Sequence, residues 1–357
     1  MGDYHDLGMF EPEDTFRLLD FSGSRWRRMS KPDQLSYIDE IFDYYRNRHG
    51  FPYREMTPAE RTKQLWRLKR RKPVVNDDLE ITWDNTGSPL CTNGFPHLWE
   101  VQCGTQRSAW EAFNTDAYLK EAIRFCLTIK ERVTPHEIIS AFSLGTNAGI
   151  RVVARFKPMA AKAIWQRYTP ADGLVYDYAC GWGGRLLGAL SADLRYVGVD
   201  PEPRTHDCLL RLADAAVDAY GCPAPRIEKT GSEDFCPDEL IGQVDTAFSS
   251  PPYFDLERYA SDGSQSHVKF DTVDTWIEGY LGGTFQNVWS LLKPGGILGM
   301  NLTDYSNIRV VDKALAVIEK IGFEPVETLK MMVIQRRGKG QSSAPYKHEP
   351  VYIFRKR

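Results

Sequence analysis

The chain of 357 residues contains no run of eighteen or more apolar residues, so no membrane-spanning helix is expected. It contains no C-x-x-C pair. Its seven cysteines, at positions 91, 103, 126, 180, 208, 222 and 236, are odd in number and widely scattered, which indicates neither a disulfide framework nor a metal site. The opening stretch MGDYHDLGMFEPED is acidic and has no signal-peptide core. A reducing, cytoplasmic setting is therefore expected. Charge of one sign is also missing. The net charge is −3, with 20 Lys/Arg against 22 Asp/Glu in residues 1–150 and 25 against 26 in the remainder. Bulk electrostatics thus announce no nucleic-acid binder. There is no internal repeat and no low-complexity tract.

What is present is enough apolar material, 42% of residues, for a sizeable core. The length allows two domains, or one with a large extension. From about Tyr168 onward, short apolar runs alternate with amphipathic ones. GLVYDYA (173–179), RYVGVD (195–200), RIEKT, VDTAFSS and GILGMNL read as strands. The stretches GRLLGALSA, 204–220, 272–292 and 306–320 read as helices between them, and KPGG as a turn before the fifth strand. This alternation predicts an α/β fold with a doubly wound, mostly parallel sheet covered on both faces. VETLKMMVIQ and EPVYIFRK are joined by a loop too short for a crossover helix, so they should form an antiparallel C-terminal hairpin at a sheet edge. Residues 1–150 differ. Amphipathic segments at 34–48, 58–72 and 108–133 alternate with turn clusters such as DNTGSP and CTNGFP. They read as a separate, mainly helical N-terminal region ahead of a domain at 151–357.

In an open parallel sheet, ligands bind beyond the carboxyl ends of the strands. The first strand ends in Asp177-x-x-x-Gly181-x-Gly183-Gly184, where glycines let the backbone approach a ligand. Asp200 ends the second strand, twenty-three residues later, and a carboxylate there can accept from two ribose hydroxyls. Together they indicate an adenosine ligand. The turn is not G-x-x-x-x-G-K-[ST], so a P-loop is excluded. Its spacing also fits poorly to the dinucleotide pattern. The fourth strand ends in Ser250-Pro251-Pro252-Tyr253, for which a nicotinamide enzyme has no role.

With LLKPGG before strand five, these motifs resemble the S-adenosylmethionine-dependent amino-methyltransferases, most nearly the DNA enzymes that act on cytosine N4 or adenine N6. The resemblance covers about residues 150–357. It implies a class I methyltransferase-like sheet of seven strands and S-adenosylmethionine as the cofactor. It further implies cofactor contacts at Asp177, Ala179, Cys180, Gly181, Gly183 and Asp200. Lys157, within RFKPMAAKAIWQRY, stands where that family covers the cofactor. Ser232, Glu233 and Asp234 stand where it meets the adenine, although the same residues also suit a plain helix start. Two features depart from the family pattern: Tyr178-Ala179 replaces the usual Pro-Phe, and Trp182-Gly183-Gly184 follows Gly181 where Ser-Gly-Thr is commoner.

The chemistry suits Ser-Pro-Pro-Tyr. An exocyclic amino nitrogen is a poor nucleophile because its lone pair is delocalised into the ring. Two acceptors on its N–H bonds, Ser250 Oγ and the Pro251 carbonyl, would free that pair, and Pro251 and Pro252 hold the acceptors rigid. Tyr253 can stack on a base flipped from a duplex. No Pro-Cys dipeptide occurs, which argues against cytosine C5 chemistry. A strand-ending turn with Tyr253 in the core would look similar. For nucleic acid, two basic stretches are candidates: RTKQLWRLKRRK, with Arg67 and Arg70 around Trp66, and the hairpin loop with Arg336, Arg337 and Lys339. DNA is the expected partner. The rival readings are a nucleic-acid-binding protein that keeps the fold without turnover, and a methyltransferase acting on RNA or a protein amide.

Overall fold

The computed structural model describes residues 23–130, 133–144, 149–259, 263–305, 308–334 and 346–357. It divides into two compact units, Met1–Glu55 with Pro96–Val153, and Met56–Phe95 with Ala154–Arg357. The second unit therefore takes in Met56–Phe95, which the sequence reading grouped with the N-terminal region.

The first unit is built on helices. Lys31–Tyr44 starts where the Ser30 side chain accepts from Asp33 N, and buries Ile38 and Ile41, spaced to share one helix face. Asp116–Phe125 buries Leu119, Ala122 and Ile123, with the same periodicity.

The second unit is organised by an eight-stranded sheet. In chain order its strands are β1 (Glu80–Ile81), β2 (Leu174–Asp177), β3 (Arg195–Val199), β4 (Arg226–Glu228), β5 (Val244–Ser249), β6 (Leu292–Asn301), β7 (Glu324–Ile334) and β8 (Tyr346–Arg355). Their spatial order is β1-β7-β8-β6-β5-β2-β3-β4. β2 to β6 pair in parallel, and β8 runs antiparallel to both β6 and β7. This is the doubly wound sheet with an antiparallel hairpin read from the sequence. The count is corrected from seven to eight by β1, whose two residues pair in parallel with Lys330 and Met331. So short a strand leaves no alternation to read, yet it pairs the free edge of β7. The KPGG turn is also revised. β6 already begins at Leu292, and its register with β5 shifts between Val244 and Thr246. Lys293–Gly296 lie opposite the single residue Asp245, with Gly295 at φ +75°, so KPGG is a turn-like irregularity inside the strand.

Helices α1 (Pro58–Arg70), α2 (Pro158–Tyr168), α3 (Gly184–Ser191), α4 (Pro203–Tyr220), α5 (Gly282–Leu291) and α6 (Val311–Ile321) complete the unit. The core joins the sheet to the segment from Trp276 to Leu291 and to α6, with Phe285, Val288, Leu298 and Ala314 fully buried. α1 ends at Lys162. This buried lysine of α2 donates to the carbonyls of Leu68, Lys69 and Arg71 at 3.0, 2.9 and 3.0 Å, so one cation satisfies carbonyls that a helix end leaves open. Lys69 pairs with Asp193, and Tyr220 donates to the Leu65 carbonyl at 2.8 Å. α1 is therefore anchored beside the turn between α3 and β3, at the amino ends of the parallel strands. Among the described residues no helix is long and apolar enough to cross a membrane.

Candidate active site

From β2 the chain steps outward through β3 to β4, then returns to β5 on the other side of β2. The reversal lies between the carboxyl ends of β2 and β5, where such sheets bind ligands. Asp177 and Ser249 end those two strands, and Ser249 Oγ donates to Asp177 Oδ1 at 2.8 Å.

Asp177 is wholly enclosed. Besides Ser249 it accepts from Arg185 Nε at 2.9 Å and from the Tyr196 hydroxyl at 2.8 Å. Arg185, buried at the start of α3, also donates to the Ala179 carbonyl. With its oxygens committed this way, Asp177 shapes the turn rather than presenting itself to a ligand. Cys180 is buried too, its sulfur 3.2 Å from the Tyr196 hydroxyl. Burial, and then the neighbouring Asp177, push its thiol well above the ordinary range, so it packs and does not react. Tyr178 is buried and donates to the Gly299 carbonyl at 2.8 Å, away from any ligand surface.

The glycine turn is dictated by space. Gly183 has φ +71°, and a Cβ there would lie 2.7 Å from the Leu212 side chain. A Cβ on Gly184 would lie 2.0 Å from the Phe156 carbonyl oxygen. The segment before α2 thus crosses directly over the turn. Lys157, next in that segment, donates to Asn85 Oδ1 at 2.7 Å, and its ammonium lies 4.4 Å from the Trp83 ring centroid. Desolvation, and then Arg155, lower it to about 8.

Asp200, just beyond β3, accepts from Gly181 N at 2.8 Å and from Glu202 N at 3.1 Å. Burial raises its carboxyl to about 7 in spite of these bonds. Ser232 is buried, its hydroxyl 2.7 Å from that of Thr284. Lys269 binds Glu233 Oε1 at 2.9 Å and the exposed Asp234 at 2.6 Å. Glu233 Oε2 and the Tyr176 hydroxyl are buried with no hydrogen-bond partner. Tyr280, missed in the sequence, is raised first by its burial and next by Glu233, and its hydroxyl also interacts with Ser232. Each orphaned polar atom costs about 1–3 kcal/mol.

Across the reversal lies Ser250-Pro251-Pro252-Tyr253. Phe254 follows with φ +46°, a strained setting for a residue with a Cβ. It is retained because the ring is buried, 6.1 Å from that of Trp276. Tyr253 is half-buried. Its hydroxyl interacts with the Ser250 and Thr303 side chains, and its ring lies nearly parallel to that of Tyr305, with centroids 6.3 Å apart and planes at 20°.

The structure therefore gathers Ala179, Gly181, Gly183 and Asp200 on one side of the strand reversal and Ser250–Tyr253 on the other. Ser232 and Glu233 join Asp200 through Tyr280, whose hydroxyl is influenced by all three. Arg67 and Arg70 are exposed on α1, at the opposite end of the sheet, and are not brought to the crevice. Arg336, Arg337 and Lys339 lie outside the described residues. The sequence reading missed Arg185, Tyr196, Ser249, Tyr280 and Tyr305. For Ser249 and Tyr305 the signal was position alone, at or just beyond the ends of neighbouring strands.

No family model matches the chain, and no curated protein matches it. Solved structures do. A TehB-like SAM-dependent methyltransferase from Corynebacterium glutamicum is 14% identical, covering 57% of this chain and 89% of its own, with a TM-score of 0.35. TrmN from Thermus thermophilus is 16% identical, covering 56% of this chain and 49% of its own, with a TM-score of 0.36. A SAM-dependent methyltransferase from Methanosarcina mazei is 14% identical, covering 54% and 96%, with a TM-score of 0.37. At such scores the likenesses carry no argument. The strand order defines this unit as a doubly wound α/β domain.

Proposed function

We propose that the protein transfers the methyl group of S-adenosylmethionine to an exocyclic amino nitrogen of a DNA base, cytosine N4 or adenine N6. One observation supports this reading: the glycine turn with Asp200 and the Ser-Pro-Pro-Tyr segment follow the carboxyl ends of strands on either side of the strand reversal of a doubly wound sheet. The glycine-turn side fits an adenosine group. Asp200 in its ionised form would accept from two ribose hydroxyls, and Glu233 Oε2 from an N–H donor. The glycine turn would let the cofactor lie against bare backbone. When bound, the cofactor supplies an electrophilic methyl on a sulfonium that departs as a neutral thioether.

The chain's own residues do the rest. Ser250 Oγ and the Pro251 carbonyl accept the two N–H bonds, aligning the nitrogen lone pair with the methyl group. As the new N–C bond forms, one amino proton is given up to solvent. Tyr253 offers a ring face to the base, which offsets the stacking lost when it leaves a duplex.

The test is transfer of label from S-adenosylmethionine to unmethylated DNA, read by mass spectrometry of the nucleosides, with RNA and a glutamine-bearing peptide as parallel substrates. N4-methylcytosine or N6-methyladenine is expected. Ser250→Ala should lower kcat about a hundredfold, the scale of losing one preorganised hydrogen bond. Label on RNA or peptide alone would reassign the substrate. DNA binding without cofactor binding would make the protein a non-catalytic binder.

A further inference from the structure

We propose that Tyr305 is the second wall of the substrate slot, so that Tyr253 and Tyr305 grip a flat aromatic ring between their faces. This rests on the methyltransfer reading for the identity of the ring, but the slot itself is a matter of geometry. β5 and β6 are parallel neighbours, with Ser249 opposite Met300. Tyr253 and Tyr305 therefore follow the carboxyl ends of adjacent strands, at the edge of the crevice.

Two carbon layers in contact lie about 3.5 Å apart. A ring inserted between two others thus needs an opening of about 7 Å. The Tyr253 and Tyr305 centroids are 6.3 Å apart with planes at 20°, so the two rings already have the near-parallel orientation a planar guest needs and must part to admit it. Both walls are tethered at their hydroxyls. Tyr305 donates to Asp255 Oδ1 at 3.3 Å, and Tyr253 interacts with Ser250 and Thr303. Both are held at the backbone too. Tyr305 and Ile308 exchange hydrogen bonds of 3.3 and 2.9 Å, and the left-handed Phe254 fixes the end of the Ser-Pro-Pro-Tyr segment. Tethered, nearly parallel rings need little reordering to bind. The Ser250 hydroxyl is engaged with the Tyr253 hydroxyl, so a ring held in this slot would carry its edge substituents past Ser250. Asp255, Glu257 and Glu349 act on the two tyrosines, which suits a guest bearing N–H groups.

Two measurements test it. The first is steady-state methylation of unmethylated DNA by wild type, Tyr305→Phe and Tyr305→Leu. Tyr305→Phe, which keeps the ring but loses the tether to Asp255, should lose less kcat/KM than Tyr305→Leu. Tyr305→Leu should lose about 5-fold to 150-fold, the scale of one base–aromatic stack, with the loss in KM for DNA and an unchanged dissociation constant for S-adenosylhomocysteine. The second is proton NMR of deoxycytidine and deoxyadenosine with protein saturated in S-adenosylhomocysteine. Base protons held between two rings should move upfield, and Tyr305→Leu should remove much of that shift. Equal shifts in wild type and Tyr305→Leu, no shift for either nucleoside, or unchanged DNA kinetics in Tyr305→Leu would each overturn the slot. Upfield shifts without any methyl transfer would leave the slot standing and defeat the catalytic reading instead.

Discussion

Replacing Arg185 by Met should cost the sheet unit as much stability as deleting a large buried apolar side chain. Arg185 and Asp177 form an ion pair at 2.9 Å, with side chains 5% and 0% exposed. Removing the guanidinium leaves Asp177 charged in a dry interior with only the Ser249 and Tyr196 hydroxyls as strong partners. Breaking a buried pair from one side costs about 3–5 kcal/mol, which compares with a total stability of about 5–15 kcal/mol for a typical protein. At about 2–4 °C per kcal/mol for a unit of this size, the transition should fall by roughly 6–20 °C. The double variant Asp177→Asn with Arg185→Met carries no stranded charge and should recover more than half of that loss. Thermal unfolding followed by circular dichroism reads both. Binding of S-adenosylhomocysteine, by calorimetry, should weaken in the single and double variants alike, because Arg185 also holds the Ala179 carbonyl. A loss below about 1 kcal/mol in Arg185→Met, the range of an exposed pair, would refute the assignment of these two residues as the frame of the turn.

On the proposed reading, Asp200 should make ligand binding pH-dependent. Its carboxyl is raised to about 7, and only the ionised form accepts from two hydroxyls, so affinity for S-adenosylhomocysteine should rise about tenfold between pH 6 and pH 8. The sign for folding is the reverse: the group binds its proton more tightly folded than unfolded, so its contribution to the stability of the ligand-free protein falls as pH rises from about 4 through 7. Asp200→Asn should flatten both profiles, and a pH-independent affinity in the wild type would count against the ribose assignment. Lys162→Met strands the carbonyls at the end of α1 and should cost at least about 2 kcal/mol in a urea titration, with α1 losing hydrogen-exchange protection first.

The doubly wound sheet was legible because β2, β3, β5 and the Ile297–Asn301 part of β6 are compact apolar runs between turn residues, and strands buried on both faces read that way; the edge strand β4, Arg226–Glu228, buries only Ile227. Asp200 and the glycine turn were legible for a related reason: motif spacing places them at strand ends without knowledge of any side-chain contact. What was not legible was the partnering. Asp177 reads from the sequence as a ligand contact, yet Arg185, Tyr196 and Ser249 converge on it from α3, β3 and β5, and no local pattern encodes that convergence. β1 escaped because two residues carry no periodicity. Tyr305 escaped because its meaning comes from a ring more than fifty residues upstream in the chain.

The two halves of the crevice are coupled by very little. Ser249 Oγ donates to Asp177 Oδ1, and one residue later Ser250 begins the segment that faces the substrate. The hydroxyl that closes the cofactor side is therefore covalently adjacent to the one assigned to the amino group. β5 is parallel to both of its neighbours, paired with β2 as far as Ala247 and with β6 as far as Ser249, so a displacement at Ser249 is resisted by the ladder with β6. It must pass into Ser250 and the two prolines, which have little torsional freedom to spend. On the proposed reading the cofactor side and the amino-group acceptors would move together, while the Tyr305 wall, tethered through Asp255 and Ile308, would have to part from Tyr253 to admit the guest.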